Sequence, residues 1–380
     1  MYPCLSPGGN AIYDSPTPSG HLLVGTQGGV VELEETAAGW REAGRGLADH
    51  HVCALISEPV SGNYYAGTHD AGVFVSPDGR HWQPASKGLE HSNVFSMASV
   101  RRADGSVRLY AGTEPAALFE SRDFGQSWQR LTGLEATTGR DGWMFPAPPF
   151  IAHIKQIAIH PQDADLIYVC VEQGGLYSSA DAGQTWTEHT AGMPNDAHRV
   201  LLHPTRPGRL FLANGFFFNR SDDGGKTWFE MREQTQKIGY ADPLVYHPRR
   251  PETMFVSGAF ATPDTWVKGS ANVSIARSRD GGDSWQYARG GLPAEFKPSV
   301  EAMSLEAVGD ACRVFIGNTD GEVWLTENDG DQWHRIASSL PPVSKCFHAD
   351  LINGKLDLTE VRIPDEIRAL MEQMVQRQVV

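Results

Sequence analysis

One eight-residue turn pattern recurs through the chain and restricts its fold more than any other feature. Its clearest copy is Ser179-Ala-Asp181-Ala-Gly183-Gln-Thr185-Trp186. The Asp carboxylate and the Ser or Thr hydroxyls can accept backbone N–H bonds of a tight turn. Glycine takes a positive φ without strain, and Trp carries a large apolar area into the structure below the turn. The pattern therefore predicts a tight turn with an indole anchor. Further complete copies end at Trp128, Trp228 and Trp285, and weaker ones at Trp82 and Trp333.

The spacing of these anchors predicts the architecture. Counting Trp40, where only a Gly-Trp pair remains of the pattern, successive anchors are 42, 46, 58, 42, 57 and 48 residues apart. Such a repeat length is typical of propellers and arrays. Each repeat also contains short apolar segments between Pro and Gly turns, as in Tyr64–Thr68 and Gly72–Ser76. Seven four-strand units predict an all-β, seven-bladed β-propeller, whose closed ring leaves no long exposed sheet edge.

The two chain ends are where this repeat breaks. We expect Ala11–Asp14 to supply the first strand of blade one, with Ser344–Leu351 as the alternative strand. The propeller is assigned to residues 1–343 and an extension to residues 344–380. Pro364 suits the first turn of a helix. Apolar residues follow it at helical spacing, which predicts an amphipathic helix packed on the propeller or, alternatively, at a dimer contact. These residues are Ile367, Leu370, Met371, Met374 and Val375.

Composition excludes some partners. The formal net charge of −14 over 380 residues argues against a nucleic-acid or anionic-membrane partner, because both require a cationic surface. No signal-peptide pattern occurs at the N-terminus, and no apolar run is long enough to span a bilayer. The five scattered cysteines never form a C-x-x-C pair, which favours free thiols in a reducing compartment. We expect a cytoplasmic monomer or homodimer.

The turn pattern resembles the Asp-box, or BNR, repeat of sialidases, sortilin-type receptors, xyloglucan hydrolases and a photosystem assembly factor. The resemblance extends from the first to the seventh Trp anchor. It implies that the boxes join the third and fourth strands of each blade, away from the active face, and are structural. A sialidase would carry a Phe/Tyr-Arg-Ile-Pro motif before the first box. The near match here, Val361-Arg362-Ile363-Pro364, follows the last box, so the resemblance does not extend to classical sialidase activity.

Candidate chemistry concentrates in the loops that enter each innermost strand and in those joining second to third strands. These loops are rich in His and carboxylate residues, which together suit a divalent metal or acid–base catalysis. The alternative is that they cap turns and face solvent. The candidate catalytic residues are His51, His153, His198, Glu114, Glu172 and Asp242. The candidate metal ligands are His51, His69, His91, His153, His198 and His348.

Two long loops, Glu135–Ala152 and Phe260–Ala271, are expected on the same face. Loops of this length are uncommon unless they are functional or disordered. Their aromatic residues, together with nearby carboxylates, suit a sugar or another small, partly apolar ligand. The alternative is a cover over the channel without a ligand. The candidate ligand-binding residues are Arg140, Trp143, Phe145, Tyr240, Trp266 and Lys297.

Two functional hypotheses follow. The first is a hydrolase, glycosidase-like, or a metal-dependent lyase that acts on a glycan or small ligand with metal or carboxylate assistance. The second is a non-catalytic propeller that binds a ligand or a protein. The fold alone does not distinguish them. The concentration of His and acidic residues on one face favours the first.

Overall fold

The computed structural model describes residues 1–231, 233–235, 238–266, 269–345 and 347–369. Seven sheets, antiparallel except for two N-terminal strands, surround one axis and form a seven-bladed β-propeller, as the repeat predicts. Blade one contains the strands Cys4–Leu5, His21–Thr26, Gly29–Thr36 and Gly39–Gly46. From blade two to blade seven, the innermost strands are Val52–Glu58, Asn93–Arg101, Ile154–His160, Ala197–Leu202, Tyr240–His247 and Val300–Val308.

The remaining strands follow the same order in every blade. The second strands are Asn63–Thr68, Val107–Glu114, Asp163–Val171, Leu210–Asn214, Arg250–Ala259 and Ala311–Asn318. The third strands are Gly72–Ser76, Leu118–Ser121, Gly175–Ser179, Phe218–Ser221, Ser274–Ser278 and Val323–Thr326. The fourth strands are Gln83–Pro84, Gln129–Arg130, Thr187–Glu188, Phe229–Glu230, Gln286–Tyr287 and His334–Ala337. In blades two to seven the innermost strands begin at one face, here called the mouth, and the third-to-fourth turns lie at the opposite face, here called the box rim.

The recurrent turn has the geometry that its residues predict. Oδ1 of Asp181 accepts the backbone N–H of Gln184 at 3.0 Å and of Thr185 at 2.9 Å, and Oδ2 accepts the Thr185 hydroxyl at 2.6 Å. These bonds lower the pKa of Asp181 to about 2. Gly183 has φ = +93°, a conformation that disfavours a Cβ. Each turn is thus closed by its own residues.

The indole of each box packs on the preceding blade. Trp128 donates its Nε1–H to Ala85 of blade two at 2.7 Å, and Trp228 donates its own to His189 of blade four at 3.0 Å. The last junction uses Trp40, which packs edge-on against Phe315 of blade seven with ring centroids 6.0 Å apart. Trp40 therefore closes the ring even though the other box residues are missing in blade one.

The N-terminal segment closes the ring differently from the sequence expectation. Cys4–Leu5 pairs in parallel with the second strand of blade one, whereas Ile12–Ser15 pairs in parallel with the innermost strand of blade seven. The assignment of Ala11–Asp14 to blade one was therefore wrong. Between these strands Gly8 donates its N–H to Cys53 and accepts one from Met97, so the chain crosses blades two and three inside the channel. A Cβ at Gly8 would lie 1.9 Å from the Phe95 carbonyl oxygen, which explains the glycine there.

The C-terminal part lies over the mouth. After Val343 the chain forms an α-helix at His348–Ile352 and a 3₁₀ helix at Leu358–Glu360. Residues 365–369 are helical, as predicted, whereas Leu370, Met371, Met374 and Val375 lie outside the described residues. Further 3₁₀ turns occur in the two long loops, at Leu134–Ala136, Arg140–Gly142 and Pro263–Thr265. Within the described ranges, no helix is both long and apolar enough to cross a bilayer.

Candidate functional site at the propeller mouth

A β-bulge occurs near the start of the innermost strand in each of blades two to seven. The register with the second strand shifts at the second or third residue of each strand, from Val52/Ala54 in blade two to Val300/Ala302 in blade seven. A bulge leaves one residue unpaired and changes the direction of its side chain. The unpaired residues are Cys53, Phe95, Lys155, His198, Asp242 with Pro243, and Glu301. Six blades thus each direct a side chain toward the mouth.

Four of these bulge residues, those of blades four to seven, join with neighbouring residues in a buried cluster, here called the mouth network. It consists of Glu114, His153, Lys155, Glu172, Asp196, His198, Arg199, Asp242, Glu301, Lys345 and His348. Glu172 lies at its centre. Its Oε2 is 2.7 Å from Nε2 of His153, and its Oε1 contacts the Lys155 ammonium and is 3.4 Å from Nε2 of His198. Carboxylate and basic groups from different blades are therefore in direct contact.

A second half of the network ties the C-terminal segment into the mouth. Nζ of Lys345 is 2.7 Å from Oδ2 of Asp242, which also faces Lys155 at 3.8 Å and Arg199 through its other oxygen at 3.2 Å. Nδ1 of His348 is 2.9 Å from Oε1 of Glu301. Residues assigned to a separate extension thus complete the charge pairing of the propeller.

The network fixes protonation states. Burial disfavours the charged form of Glu172, but Lys155 and His153 outweigh it and hold its pKa well below the usual range. Burial likewise disfavours protonated His153, yet hydrogen bonds with Glu114 and Glu172 raise its pKa. The pair of Asp242 and Lys345 shifts unequally. The pKa of Asp242 falls because several cations oppose its burial, whereas that of Lys345 falls because burial outweighs its close carboxylate. Glu172 and Asp242 are therefore ionised at neutral pH.

A cavity of about 550 Å³ opens above part of this network. Its floor includes Glu172, Asp196, Tyr240 and His348. Its walls come from both long loops and from the C-terminal segment, and they are largely apolar, with Met144–Ala147, Phe216, Thr262–Asp264, Phe347, Leu358, Val361 and Ile363. An acidic floor under apolar walls suits a small ligand with both polar and apolar faces. The prediction that both long loops lie on this face is confirmed.

The predicted catalytic residues separate into two groups. Glu172 lines the cavity, and His153 and His198 lie directly against it in the network. Glu114 is buried behind His153, and Asp242 is enclosed by Lys155, Arg199 and Lys345; neither is among the described residues that line the cavity. Nε2 of His51 lies 2.6 Å from the carbonyl oxygen of Ser344, and the ring stacks on His69, outside the cavity lining.

The six histidines proposed as metal ligands do not meet at one point. His51 and His69 stack on each other, His153 stacks on Phe95, and His348 pairs with Glu301. His91 packs edge-on against Phe119 of the third strand of blade three, away from the axis. His198 differs, because one of its ring nitrogens lies within 4.8 Å of an oxygen of Glu172 and one of Asp196.

The predicted ligand-binding residues also differ in exposure. Phe145 and Tyr240 line the cavity. Trp143 is buried, donates its Nε1–H to the Tyr177 hydroxyl at 2.9 Å and lies beside Arg140, whereas Trp266 is 1% exposed and packs between Tyr240 and His348. Lys297 is exposed, and its carbonyl accepts the N–H of Ala271. Both indoles thus support the walls rather than present a free face to a ligand.

Sequence reasoning missed Asp196, Lys155, Arg199, Glu301 and Lys345 as site residues. A signal was present. The innermost strands align as V-C-A-L, V-F-S-M, I-K-Q-I, A-H-R-V, A-D-P-L and V-E-A-M, and the bulge residue is the second in each. A charged residue in an apolar strand would be costly unless it is paired. Lys155, Asp242 and Glu301 at that position therefore indicate one shared polar site.

Comparison with known proteins gives the fold and a set of distant relatives. No family model matches the chain. Xyloglucanase Xgh74A of Acetivibrio thermocellus is 26% identical over 225 residues, covering 47% of this chain and 25% of that protein. An oligoxyloglucan-reducing end-specific xyloglucanase of Emericella nidulans is 25% identical over 207 residues, covering 48% and 24%. A Paenibacillus xyloglucanase is 24% identical over 326 residues, covering 80% and 28%. The chain thus spans about a quarter of the length of these relatives.

Solved structures agree on the architecture. An ancestral GH74 enzyme superposes with a TM-score of 0.59 at 17% identity, covering 76% of this chain and 39% of the other. YCF48 bound to a D1 peptide superposes with a TM-score of 0.53 at 18% identity, covering 85% of this chain and 95% of the other. These similarities, at low identity, establish the seven-bladed β-propeller fold.

Proposed function

We propose that the mouth cavity binds the end of a glycan or a small glycoside and that the chain hydrolyses the glycosidic bond above Glu172 and Asp196. The observation that carries the proposal is the cavity itself, in which these two carboxylates form an acidic floor beneath apolar and aromatic walls. The curated relatives, which are named as xyloglucanases, support the same substrate class.

The two carboxylates are suited to different tasks. Glu172 stays ionised because Lys155 and His153 stabilise its charge, so it is fitted to act as a nucleophile or to stabilise a developing positive charge. Asp196 lines the cavity, and its buried Oδ1 has no hydrogen-bond partner among the described residues, so this carboxylate retains capacity for a further hydrogen bond. An oxygen of Glu172 lies within 4.8 Å of an oxygen of Asp196, which is below the about 6.5–9.5 Å that separates the carboxyl groups of inverting glycosidases.

Gly215 holds Asp196 in place. Its N–H donates to the Asp196 carbonyl at 3.2 Å, and a Cβ at this position would lie 1.8 Å from Oδ2 of the carboxylate. Gly215→Ala would therefore displace the acid without changing its chemistry.

The test is hydrolysis of a panel of aryl glycosides and xyloglucan oligosaccharides by the full chain. Asp196→Asn and Glu172→Gln should each lower kcat/KM by about 10²-fold or more, the range expected for loss of an acid–base group. Glu295→Gln removes an exposed carboxylate that is not among the described residues lining the cavity, and it should leave turnover within about twofold. Turnover that is equal in Asp196→Asn and the parent protein would refute the proposal.

A specific observation also supports the non-catalytic alternative. Ser344, Lys345 and His348 of the C-terminal segment occupy partners in the network, so part of its charge serves to hold that segment in the mouth. Oligosaccharide binding by calorimetry without turnover of any panel member would favour a binding propeller. Absence of both binding and turnover would exclude the glycan hypothesis altogether.

A further inference from the structure

His198 presents an unusual buried nitrogen beside two carboxylates. Its Nδ1 lies 2.8 Å from the carbonyl oxygen of Ala241, which can only accept a hydrogen bond, so Nδ1 carries a proton. In the neutral ring Nε2 is then an acceptor. Nε2 lies 3.3 Å from Oδ1 of Asp196 and 3.4 Å from Oε1 of Glu172. Nε2 of His198 and Oδ1 of Asp196 are both buried and have no hydrogen-bond partner within the described part of the chain.

We propose that Glu172, Asp196 and His198 bind one divalent transition-metal ion, of the kind represented by Zn²⁺, at the floor of the mouth cavity. As a binding site this proposal stands on geometry alone. As a cofactor for hydrolysis it rests on the proposed function. The ligand set replaces the six-histidine set expected from the sequence, of which only His198 remains.

The distances suit this class of ion. A tetrahedral ion with bonds of about 2.0–2.1 Å places its donor atoms about 3.3–3.4 Å apart. The two separations from Nε2 of His198 are 3.3 and 3.4 Å, and one atom from each of the three residues lies within 4.8 Å of the others. Octahedral Mg²⁺ at similar bond lengths would require about 2.9 Å and prefers oxygen ligands. Imidazole with carboxylates therefore favours zinc and its neighbours.

The second shell has the form that such sites use. Metal-bound imidazoles donate their other N–H to a carbonyl or carboxylate, which fixes the tautomer and the ring orientation. The contact of His198 with Ala241 does this, and the bulge in the same strand directs the ring into the mouth. The Asp196 carboxylate is confined by Gly215, as described above. The three ligands are thus positioned before any ion binds.

The charge of the network also favours a cation. Its five carboxylates are Glu114, Glu172, Asp196, Asp242 and Glu301, and its three permanent cations are Lys155, Arg199 and Lys345. The carboxylates outnumber these cations by two, and a protonated His153 would offset only one of the two charges, so negative charge remains in a buried site, where uncompensated charge is costly. A divalent ion compensates it. Lys155 contacts the same Glu172 oxygen and opposes the ion, so we expect a bound metal that EDTA removes.

The ion would have an open side. Glu172 and Asp196 line the cavity, so a fourth coordination position faces its interior. Three protein ligands with one open position are typical of catalytic zinc sites, in which the ion acidifies a water or polarises a substrate oxygen. With metal bound, both carboxylates act as ligands, and the direct two-carboxylate route described above is replaced by a metal-assisted one.

The experiment measures metal binding on the full chain with any His tag removed. The protein is dialysed against EDTA, titrated with Zn²⁺ by calorimetry and analysed for metal by mass spectrometry. We expect one Zn²⁺ per chain, with affinity lowered about 10-fold or more in Asp196→Asn and in His198→Gln. Asp264→Asn, a cavity-wall carboxylate, and His91→Gln, a histidine away from the axis, should bind as the parent does.

Replacement of Zn²⁺ by Co²⁺ adds a readout that needs no variant. Tetrahedral Co²⁺ in the parent protein should show intense visible d–d absorption that Zn²⁺ displaces, which keeps the test decisive if a buried variant does not fold. A parent protein that retains no stoichiometric ion, or an affinity unchanged in a folded Asp196→Asn variant, would overturn the inference. Metal binding without glycan turnover would overturn only the proposed function, and undiminished turnover by the EDTA-dialysed, metal-free chain would overturn only the role of the ion in hydrolysis.

Discussion

The box rim and the mouth of this propeller use the same kinds of residue in opposite ways. At the box rim, Asp181 is partly exposed and bonds to residues within its own turn. At the mouth, Glu172 is buried and contacts His153, Lys155 and His198 from the innermost strands of blades four and five or the loop before them. The first carboxylate closes a local turn, and the second exists only because several blades converge.

This difference separates what stabilises the ring from what gives it chemistry. The box turns repeat, and each indole packs on the preceding blade, so the rim distributes similar contacts around the whole ring. The mouth network occurs once, because each of blades four to seven contributes a different bulge residue to it. A charged residue in the network is also costly if its partners are lost. We therefore expect substitutions at the mouth to have larger and less local effects.

The largest effect is expected from Lys155→Met. Lys155 is fully buried and contacts Glu172, with Asp242 3.8 Å away. Methionine keeps much of the length of the lysine side chain but removes its positive charge from beside these carboxylates. Because breaking a buried ion pair typically costs about 3–5 kcal/mol, the free energy of unfolding, measured by urea titration of Trp fluorescence, should fall by that amount. The exposed Lys297→Met is the matched control and should change it by less than about 0.5 kcal/mol. A loss below about 1 kcal/mol for Lys155→Met would show that the network is not strongly coupled.

A second comparison uses glycine at the box rim. Gly183→Ala places a Cβ on a backbone with φ = +93°, and the new atom would lie 2.8 Å from Cδ1 of Leu131 in the preceding blade. A left-handed conformation costs a non-glycine residue about 1–2 kcal/mol, so we expect at least that loss in the urea titration. Gly62→Ala is the control, because Gly62 has φ = +75° and a Cβ there would meet no atom within 4 Å, so this variant reports backbone strain alone. Equal losses in both variants would show that the contact between blades contributes nothing.

The box rim was predictable from the sequence to a greater extent than the mouth. The boxes gave the blade number, the strand order and the rim on which the turns lie, because each box is complete within eight residues of sequence. Loop position alone placed Glu172, His153 and His198 on the mouth. Loop position did not separate these three residues from His91, because the side chains that meet in the mouth network are decided by the direction in which each bulge turns them. Lys345 and the parallel strand Ile12–Ser15 depend on contacts across about 100 and 290 residues of chain, which no local pattern records.

The smallest effect is a pH dependence from His51 at the mouth. Burial lowers the pKa of His51, and the Ser344 carbonyl only partly offsets this. The unfolded imidazole takes up its proton near the usual pKa of about 6.5, whereas the folded one does so at lower pH. The contribution of His51 to folded-state stability is therefore fully present above about pH 6.5, the pKa of the unfolded imidazole. It is lost as the pH falls from there through the lowered pKa of the folded state.

The measurement compares unfolding free energies at pH 7 and pH 5 in the parent protein and in His51→Gln. Burial also lowers the pKa of His69, His189, His203 and His247, so the parent contains their contributions too and only the difference between the two proteins is informative. Glutamine keeps an N–H that can reach the Ser344 carbonyl but does not titrate, so the variant should lose less stability over this range, by on the order of 1 kcal/mol.

The box carboxylates do not contribute to this difference, because Asp181 stays ionised down to about pH 2. The exposed His334→Gln is the control and should follow the parent. A variant that loses as much stability as the parent would show that His51 is protonated with equal ease in the folded and unfolded chain. In that case His51 would contribute no pH dependence to stability between pH 7 and pH 5, as is expected of the box carboxylates.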